Sequence, residues 1–269
     1  MCGIAGIISL NNSKIDPIVV ENVKRSLEHR GPDHSSHKFI NDSTCLIHTR
    51  LSIIDLNDRS NQPFQSNDQR YTIIFNGEIY NYKELRKELE TNGYKFITNG
   101  DTEVLLQGYI EYEEKILDKI RGQFAFVIYD NKAGELFIAR DRIGIKPLYY
   151  SINDSWILFA SEMKSIELSK LIKFEPDIDS YLAYLRHLCV PADRTGHKNI
   201  YKLEPGQFIR INKNGLISKK IYWDPFKFSV NNDLNEKTVG DELERLLKES
   251  VAYRKVSDVE VGLFLSGGL

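Results

Sequence analysis

Cys2 stands directly behind Met1 in MCGIAGIISL, followed by small and apolar residues. A side chain this small in second position predicts removal of Met1, which leaves a thiol and a free α-amine on one residue. An α-amine has a pKa of about 7.7–8.0, so a usable fraction is unprotonated near neutrality and can take the thiol proton, directly or through a water. One residue then supplies nucleophile and base, a combination able to attack an amide. The oxyanion that attack creates needs aimed hydrogen-bond donors. NGEIYN offers a pair, the Asn76 carboxamide and the Gly77 N–H, read here as a turn after the strand YTIIF. An amino-acid substrate further needs a cation for its α-carboxylate, a role that suits the guanidinium fork of Arg50. Glu78 and Asp101 can supply anions for its α-ammonium.

Each residue alone has a plainer reading. A cysteine is most often a small buried hydrophobe, and Asn-Gly is most often an ordinary turn. Arg50 and Glu78 can be surface charges, and Asp101 stands where a helix N-cap would stand, ahead of TEVLLQGY. These readings are independent, so all must hold together for the chemical reading to fail.

The elements that must position these residues follow from periodicity. GIAGIIS, TCLIHT, YTIIFNG, QFAFVIYD, ELFIAR, LYYSI and WILFAS are rich in β-branched and aromatic residues and bounded by Gly, Asn, Asp or Pro, so they read as strands. Several are almost continuously apolar, as sheets covered on both faces require. Helical stripes run from Asp16 to Glu28 (Val19, Val20, Val23, Leu27), from Tyr82 to Glu90, and from Asp101 through Tyr109. Asn76-Gly77, Asn92-Gly93 and Asn99-Gly100 are candidate positive-φ turns. The expectation is layered sheets with helices outside. From Phe174 to about Asp224 the texture shifts to a helix (Ile178, Tyr181, Leu182, Leu185), a polar loop and short strands around QFIRI and GLISKKIYW, read as an appended connection. After a linker at SVNNDLNEK comes a helix with the stripe Val239, Leu243, Leu246, Leu247 and Val251, then VEVGLFLSGGL.

Composition excludes several classes. The 36 Lys and Arg against 38 Asp and Glu give a formal net charge of −2, with no basic block among aromatics, which argues against a nucleic-acid partner. No apolar run approaches the roughly 18 residues of a membrane span, and no signal sequence follows Met1. The three cysteines, Cys2, Cys45 and Cys189, have no zinc-type spacing and suit free thiols in the cytosol. No metal site is expected.

Cys2-Gly3-Ile4, HRGPD (His29 to Asp33), RLSIID (Arg50 to Asp55), NGEIYN (Asn76 to Asn81), GDTEV (Gly100 to Val104), RDRIGIKPLYY (Arg140 to Tyr150) and FASEMKSI (Phe159 to Ile166) together resemble the class II, N-terminal nucleophile glutamine amidotransferases. Among these the combination is most similar to the glutamine-hydrolysing asparagine synthetases, over nearly the whole chain. The resemblance implies a four-layer αββα sandwich of α+β class, with residues 2–224 forming the glutaminase domain and 225–269 the first elements of a second, α/β domain. It implies that Cys2 attacks the side-chain amide of L-glutamine, with Asn76 and Gly77 as oxyanion hole, Arg50 as carboxylate clamp, and Glu78 and Asp101 as ammonium partners. No cofactor is implied for that step, and a homodimer is implied for many members. His29, Arg30 and Asp33 read as shaping a loop near the site, and Arg140, Asp141, Lys146 and Pro147 as organising the far end of the sheet or an ammonia path.

VGLFLSGGL resembles the strand and opening of an ATP-pyrophosphatase phosphate loop, with Ser266, Gly267 and Gly268 as its remnant. ATP and Mg are therefore expected only for the synthetase domain absent here, and no synthetase activity is expected from the chain alone. The last roughly 30 residues are expected to be mobile or to pair with another copy, their sheet being missing. Other amidotransferase acceptors, such as a sugar carboxylate, stay open, as do a non-catalytic glutamine-binding module and a hydrolase for another amide.

Overall fold

The computed structural model describes residues 1–191, 193–227, 235–265 and 267. Two six-stranded antiparallel sheets stack face to face, with helices on both outer faces. The first contains β1 (Gly3–Ser9), β2 (His34–Asn41), β3 (Thr44–Arg50), β8 (Tyr149–Ile152), β9 (Trp156–Ala160) and β10 (Tyr201–Lys202), in the order β10-β8-β9-β1-β3-β2. The second contains β4 (Phe64–Gln65), β5 (Tyr71–Ile79), β6 (Gly122–Asp130), β7 (Glu135–Arg140), β11 (Gln207–Ile211) and β12 (Ile217–Ile221), in the order β12-β11-β7-β6-β5-β4.

The continuous apolar strands are explained by this stacking. Along β6, Ala125, Val127 and Tyr129 enter the core between the sheets, while Phe124, Phe126 and Ile128 enter the core under the helices. The period of two thus serves two cores at once. The first outer layer is α1 (Pro17–Leu27) with α5 (Met163–Leu168). α1 starts where the sequence says it should: Pro17 occupies the first turn and the Asp16 carboxylate accepts the Ile18 N–H at 2.8 Å. The opposite layer is α2 (Tyr82–Thr91), α3 (Asp101–Tyr112) and α4 (Ile116–Lys119). The αββα order expected of the fold is what forms.

Several expectations need correction. β2 was not anticipated, because HSSHKFIN is polar and only partly buried, as an edge strand is. Asn76-Gly77 is no turn: both lie within β5, and Gly77 is not among the positive-φ glycines. Nor is Gly100, which caps α3 at φ −82°. The region after Phe174 is not simply appended, since β10 extends one sheet and β11 and β12 extend the other. Its helix, α6 (Ile178–His187), leaves Ile178, Tyr181, Leu182 and Leu185 exposed.

α7 (Glu236–Arg254) carries the stripe read from sequence, but Val239, Leu243, Leu246, Leu247 and Val251 face solvent. The segment is nonetheless held, with Glu249 paired to Arg121 at 2.9 Å. Val261, Leu263, Phe264 and Leu265 are exposed and form no strand. Ser266 and Gly268 lie outside the described residues, and Gly267 stands in open space, with nothing near the position of an added Cβ. The described residues of this segment therefore build no phosphate cradle. No helix among the described residues is long and apolar enough to cross a membrane.

Phe126 is fully buried, with Phe124 and Phe137 at ring-centroid distances of 5.5 and 5.9 Å. Phe126→Ala should lower unfolding stability by about 3–5 kcal/mol, read from the midpoint of urea unfolding.

Candidate active site

The expected chemistry-bearing residues, Cys2, Arg50, Asn76, Gly77, Glu78 and Asp101, line one cleft of about 590 Å³ counted with its open mouth. Strand register explains the convergence. β1 pairs with β3 with Gly3 opposite Thr49, which sets Cys2 beside Arg50 at the end of the first sheet. The second sheet brings the last residues of β5 to the same end, and α3 begins there. The Asp101 carboxylate accepts the Ile79 N–H at 2.9 Å, tying that helix to that strand.

Cys2 is partly buried, and both contacts of its sulfur run to Leu51: the Leu51 N–H donates to Sγ at 3.4 Å, and the thiol points at the Leu51 carbonyl at 3.6 Å. Burial pushes the thiol pKa up; the Leu51 N–H, the chain-terminal ammonium and Arg50 pull against it. The resting group is thus a thiol that needs a base, which fits an amine base better than a standing thiolate. The terminal amine in this chain belongs to Met1, whose side chain is largely exposed at the mouth of the cleft.

Asn76 has 1% of its surface exposed, yet neither its carboxamide nitrogen nor its oxygen has a hydrogen-bond partner in the protein. Leaving such a group unpaired costs about 1–3 kcal/mol, so it marks a place prepared for something else. The residue before it is fixed from both sides. Gln62 Oε1 accepts the Phe75 N–H at 2.6 Å, and the Phe75 carbonyl lies 3.2 Å from His48 Nε2. That carbonyl requires His48 to carry its proton on Nε2, and burial pushes the imidazole pKa down to about 3, keeping the ring neutral. A Cβ on Gly77 would come within 2.2 Å of the Gln123 carbonyl, so only glycine lets β6 approach here.

Arg50 is 5% exposed and forms no ion pair among the described residues. Nη1 donates to Asn61 Oδ1 at 2.7 Å and the Asn57 carbonyl at 3.1 Å; Nη2 donates to the Ile54 carbonyl at 3.3 Å and to the Asp55 carbonyl. The charge is therefore solvated by dipoles and left without a counter-anion, while the Nη positions are already engaged by the loop 54–61.

Asp101 is buried at the first position of α3, capped by Gly100 rather than itself a cap. Burial, reinforced by nearby Glu78, pushes its carboxyl up to about 7, against the pull of the Ile79 N–H and the helix start. Glu103 fixes that start by reaching back to the N–H groups of Ile97 and Thr98 at 3.0 and 2.7 Å.

Sequence reasoning missed three contributors. Arg30 of HRGPD donates to the Cys2 carbonyl at 3.0 Å and pairs with Glu162 of FASEMKSI at 3.2 Å, so two separate motifs anchor Cys2. Gly31 allows this, since a Cβ there would meet the Thr49 and Arg50 backbone at 2.3–2.4 Å. Gln62 lines the cleft and also donates to Thr102 Oγ1 at 3.2 Å. Lys146, read from sequence as organising the far end of the sheet or an ammonia path, lines the cleft, 5% exposed and without an ion pair or hydrogen bond for its ammonium among the described residues. Asp141 folds its loop by accepting the N–H groups of Ile143, Ile145 and Lys146 at 3.2, 2.9 and 3.0 Å. Among the described residues, no group of three or more His, Cys, Asp or Glu could hold a metal.

The family model of the glutamine amidotransferase domain matches residues 1–223. The chain belongs to the glutamine amidotransferase family. A further model, asparagine synthase, matches residues 242–269. The glutamine-hydrolysing asparagine synthetase 1 of Bacillus subtilis is 39% identical over 279 residues, covering all of this chain and 42% of that protein. A putative glutamine-hydrolysing asparagine synthetase 2 of Methanocaldococcus jannaschii is 35% identical over 291 residues, covering all of this chain and 55% of the relative. Amidase chry2 of Gibberella zeae is 34% identical over 284 residues, covering all of this chain and 41% of the relative. The chain thus spans about half the length, or less, of these relatives. A solved glutamine phosphoribosylpyrophosphate amidotransferase of B. subtilis superposes with TM-score 0.61 at 20% identity, over 82% of this chain and 49% of that one, which shows a shared fold.

For this amidotransferase, the raised Asp101 pKa has a cost. The folded state keeps a proton that the unfolded chain loses near pH 3.9, so stability is full below about pH 4 and declines as pH rises to about 7. Asp101→Asn keeps an acceptor for Ile79 and removes the buried charge. It should be more stable than the parent by about 1–2 kcal/mol at pH 8 and show no such gain at pH 4, measured by urea unfolding at both pH values.

Proposed function

We propose that the cleft hydrolyses glutamine. The observation that carries this reading is the buried, unpartnered Asn76 carboxamide in the same cleft as Cys2, the residue directly behind Met1. After Met1 is removed, the Cys2 amine takes the thiol proton and the sulfur attacks the side-chain amide carbon. The Asn76 Nδ2 and Gly77 N–H groups receive the oxyanion. Collapse breaks the C–N bond, the ammonium of Cys2 returns the proton to the departing nitrogen, and ammonia leaves a γ-glutamyl thioester. Water, activated by the same amine, then releases glutamate and restores the thiol.

Arg50 faces the α-carboxylate, with Nε free of any protein acceptor among the described residues, while Glu78 and Asp101 face the α-ammonium. In the whole protein, residues 2–224 form the glutaminase domain and 225–269 begin a synthetase domain that amidates aspartate with ATP and Mg. The asparagine synthetases among the relatives support aspartate, and the amidase keeps another carboxylate as the second reading. Three free cysteines support the cytosol, and a homodimer belongs to the same reading.

Intact mass before and after 6-diazo-5-oxo-norleucine, with glutamine as competitor, tests the assignment: loss of Met1 and one adduct on Cys2, suppressed by glutamine, is the expected result. A folded chain that retains Met1 or takes no adduct would overturn it. Asn76→Ala should keep the adduct-forming thiol and lower kcat for glutamine about 10²- to 10³-fold.

Glutamine binding should also tighten as pH rises through about 7, because an ammonium ligand prefers the ionised Asp101. Calorimetric titration of Cys2→Ala between pH 6 and 8 reads this without turnover, and Asp101→Asn should flatten the profile.

A further inference from the structure

The loop that holds Arg50 is itself held from outside the cleft. The peptide group joining Ile54 to Asp55 is fixed at both ends: its carbonyl accepts from Arg50 Nη2 at 3.3 Å, and its N–H donates to Asp258 Oδ2 at 2.7 Å. A second bond, from the Asp258 N–H to the Ile53 carbonyl at 2.9 Å, makes the contact two-pointed. Nearby, Val256 packs against the core under the helices, and Arg254 lies over the Tyr80 ring at 5.5 Å. Asp258 falls within residues 242–269, the stretch matched by the asparagine synthase model, whereas Ile53, Ile54 and Asp55 fall within the amidotransferase match.

Hydrogen bonds in series polarise one another, so a carboxylate on the N–H makes the carbonyl of that peptide a better acceptor for the guanidinium. Asp258 is solvent-exposed and its long-range field is screened, so its effect is local: it fixes one peptide plane. Ile53 and Ile54 line the cleft, and Leu51, at the start of the same loop, holds the Cys2 sulfur.

We propose that Asp258 is a positioning residue of the glutamine site, holding Arg50 in register for the substrate carboxylate through the Ile54–Asp55 peptide, so that docking of the second module's first segment sets glutamine affinity. This rests on the glutaminase reading of the cleft. The experiment compares the intact protein with Asp258→Ala and Asp258→Asn, measuring KM and kcat for glutamine. Alongside these, it measures Cys2 labelling by iodoacetamide, which has no α-carboxylate, and by 6-diazo-5-oxo-norleucine, which has one.

Asp258→Ala should raise KM about three- to tenfold, the size of one net hydrogen bond, with kcat within about twofold. Asp258→Asn, whose amide oxygen can accept the same bond, should stay near the parent. Iodoacetamide labelling should be unchanged, and labelling by the carboxylate-bearing probe slowed in step with KM. A parental KM in Asp258→Ala, equal losses in both variants, or a parallel fall in iodoacetamide labelling would overturn the proposal while leaving the glutaminase reading intact. A parent protein that neither hydrolyses glutamine nor is protected by it would overturn both, and shows this before any variant is compared.

Discussion

A cysteine one residue from the start of a chain sits where proteins ordinarily fray. Here β1 is bonded on both sides, to β3 and to β9, so the strand that follows Cys2 is interior to its sheet. The rest of the site depends on that anchoring. Once Gly3 is opposite Thr49, Arg50 is brought beside Cys2, and a one-residue slip would turn Ile4 and Ile8 out of the core between the sheets. Arg30 then closes the end by holding the Cys2 carbonyl, with Glu162, just beyond β9, holding Arg30 in turn.

The cleft that results is electrostatically unfinished. Arg50 and Lys146 are buried cations without carboxylate partners among the described residues, Asp101 is a buried carboxyl pushed up to about 7, and the Asn76 amide is unpaired. Each would be a defect in a core built only for stability. Together they form a cleft with unpaired cations, an unpaired amide and a carboxyl near its titration point, the set on which the proposed glutamine reading rests. The fold carries this strain because three apolar layers, each filled by alternate residues of the same strands, are formed elsewhere.

Much of this was legible in the sequence, and the omissions have physical causes. GIAGIIS, QFAFVIYD and the other apolar strands were readable because their central residues are buried on both faces, and α1 because Asp16, Pro17 and its valine stripe agree. The candidate site residues, which the fold gathers into one cleft, were readable as a set because the reading rested on side-chain type and not on local geometry. β2 was not, since an edge strand tolerates HSSHKFIN, and NGEIYN misled because Asn-Gly carries a turn propensity that sheet pairing with β6 overrides. Arg30, Gln62 and Lys146 escaped because their roles depend on backbone atoms 13 or more positions away or on a loop folded by Asp141, which no local pattern encodes.

The same distinction bears on the loop around Arg50. Arg50 could have been neutralised directly by a carboxylate, which would have fixed it but spent its charge. The loop 54–61 instead surrounds the guanidinium with carbonyls and leaves the charge available, which makes the guanidinium only as well placed as the loop is ordered. The order of that loop comes from several directions. Asp55 accepts from Ser60 and from the Asn99 N–H at 2.6 and 2.7 Å, Asp33 accepts the Ser52 N–H at 2.7 Å, and Asp258 holds the peptide between. Three of those anchors lie within the stretch matched by the amidotransferase model. The fourth, Asp258, lies within the stretch matched by the asparagine synthase model and reaches the loop around Arg50 with no contact to Cys2.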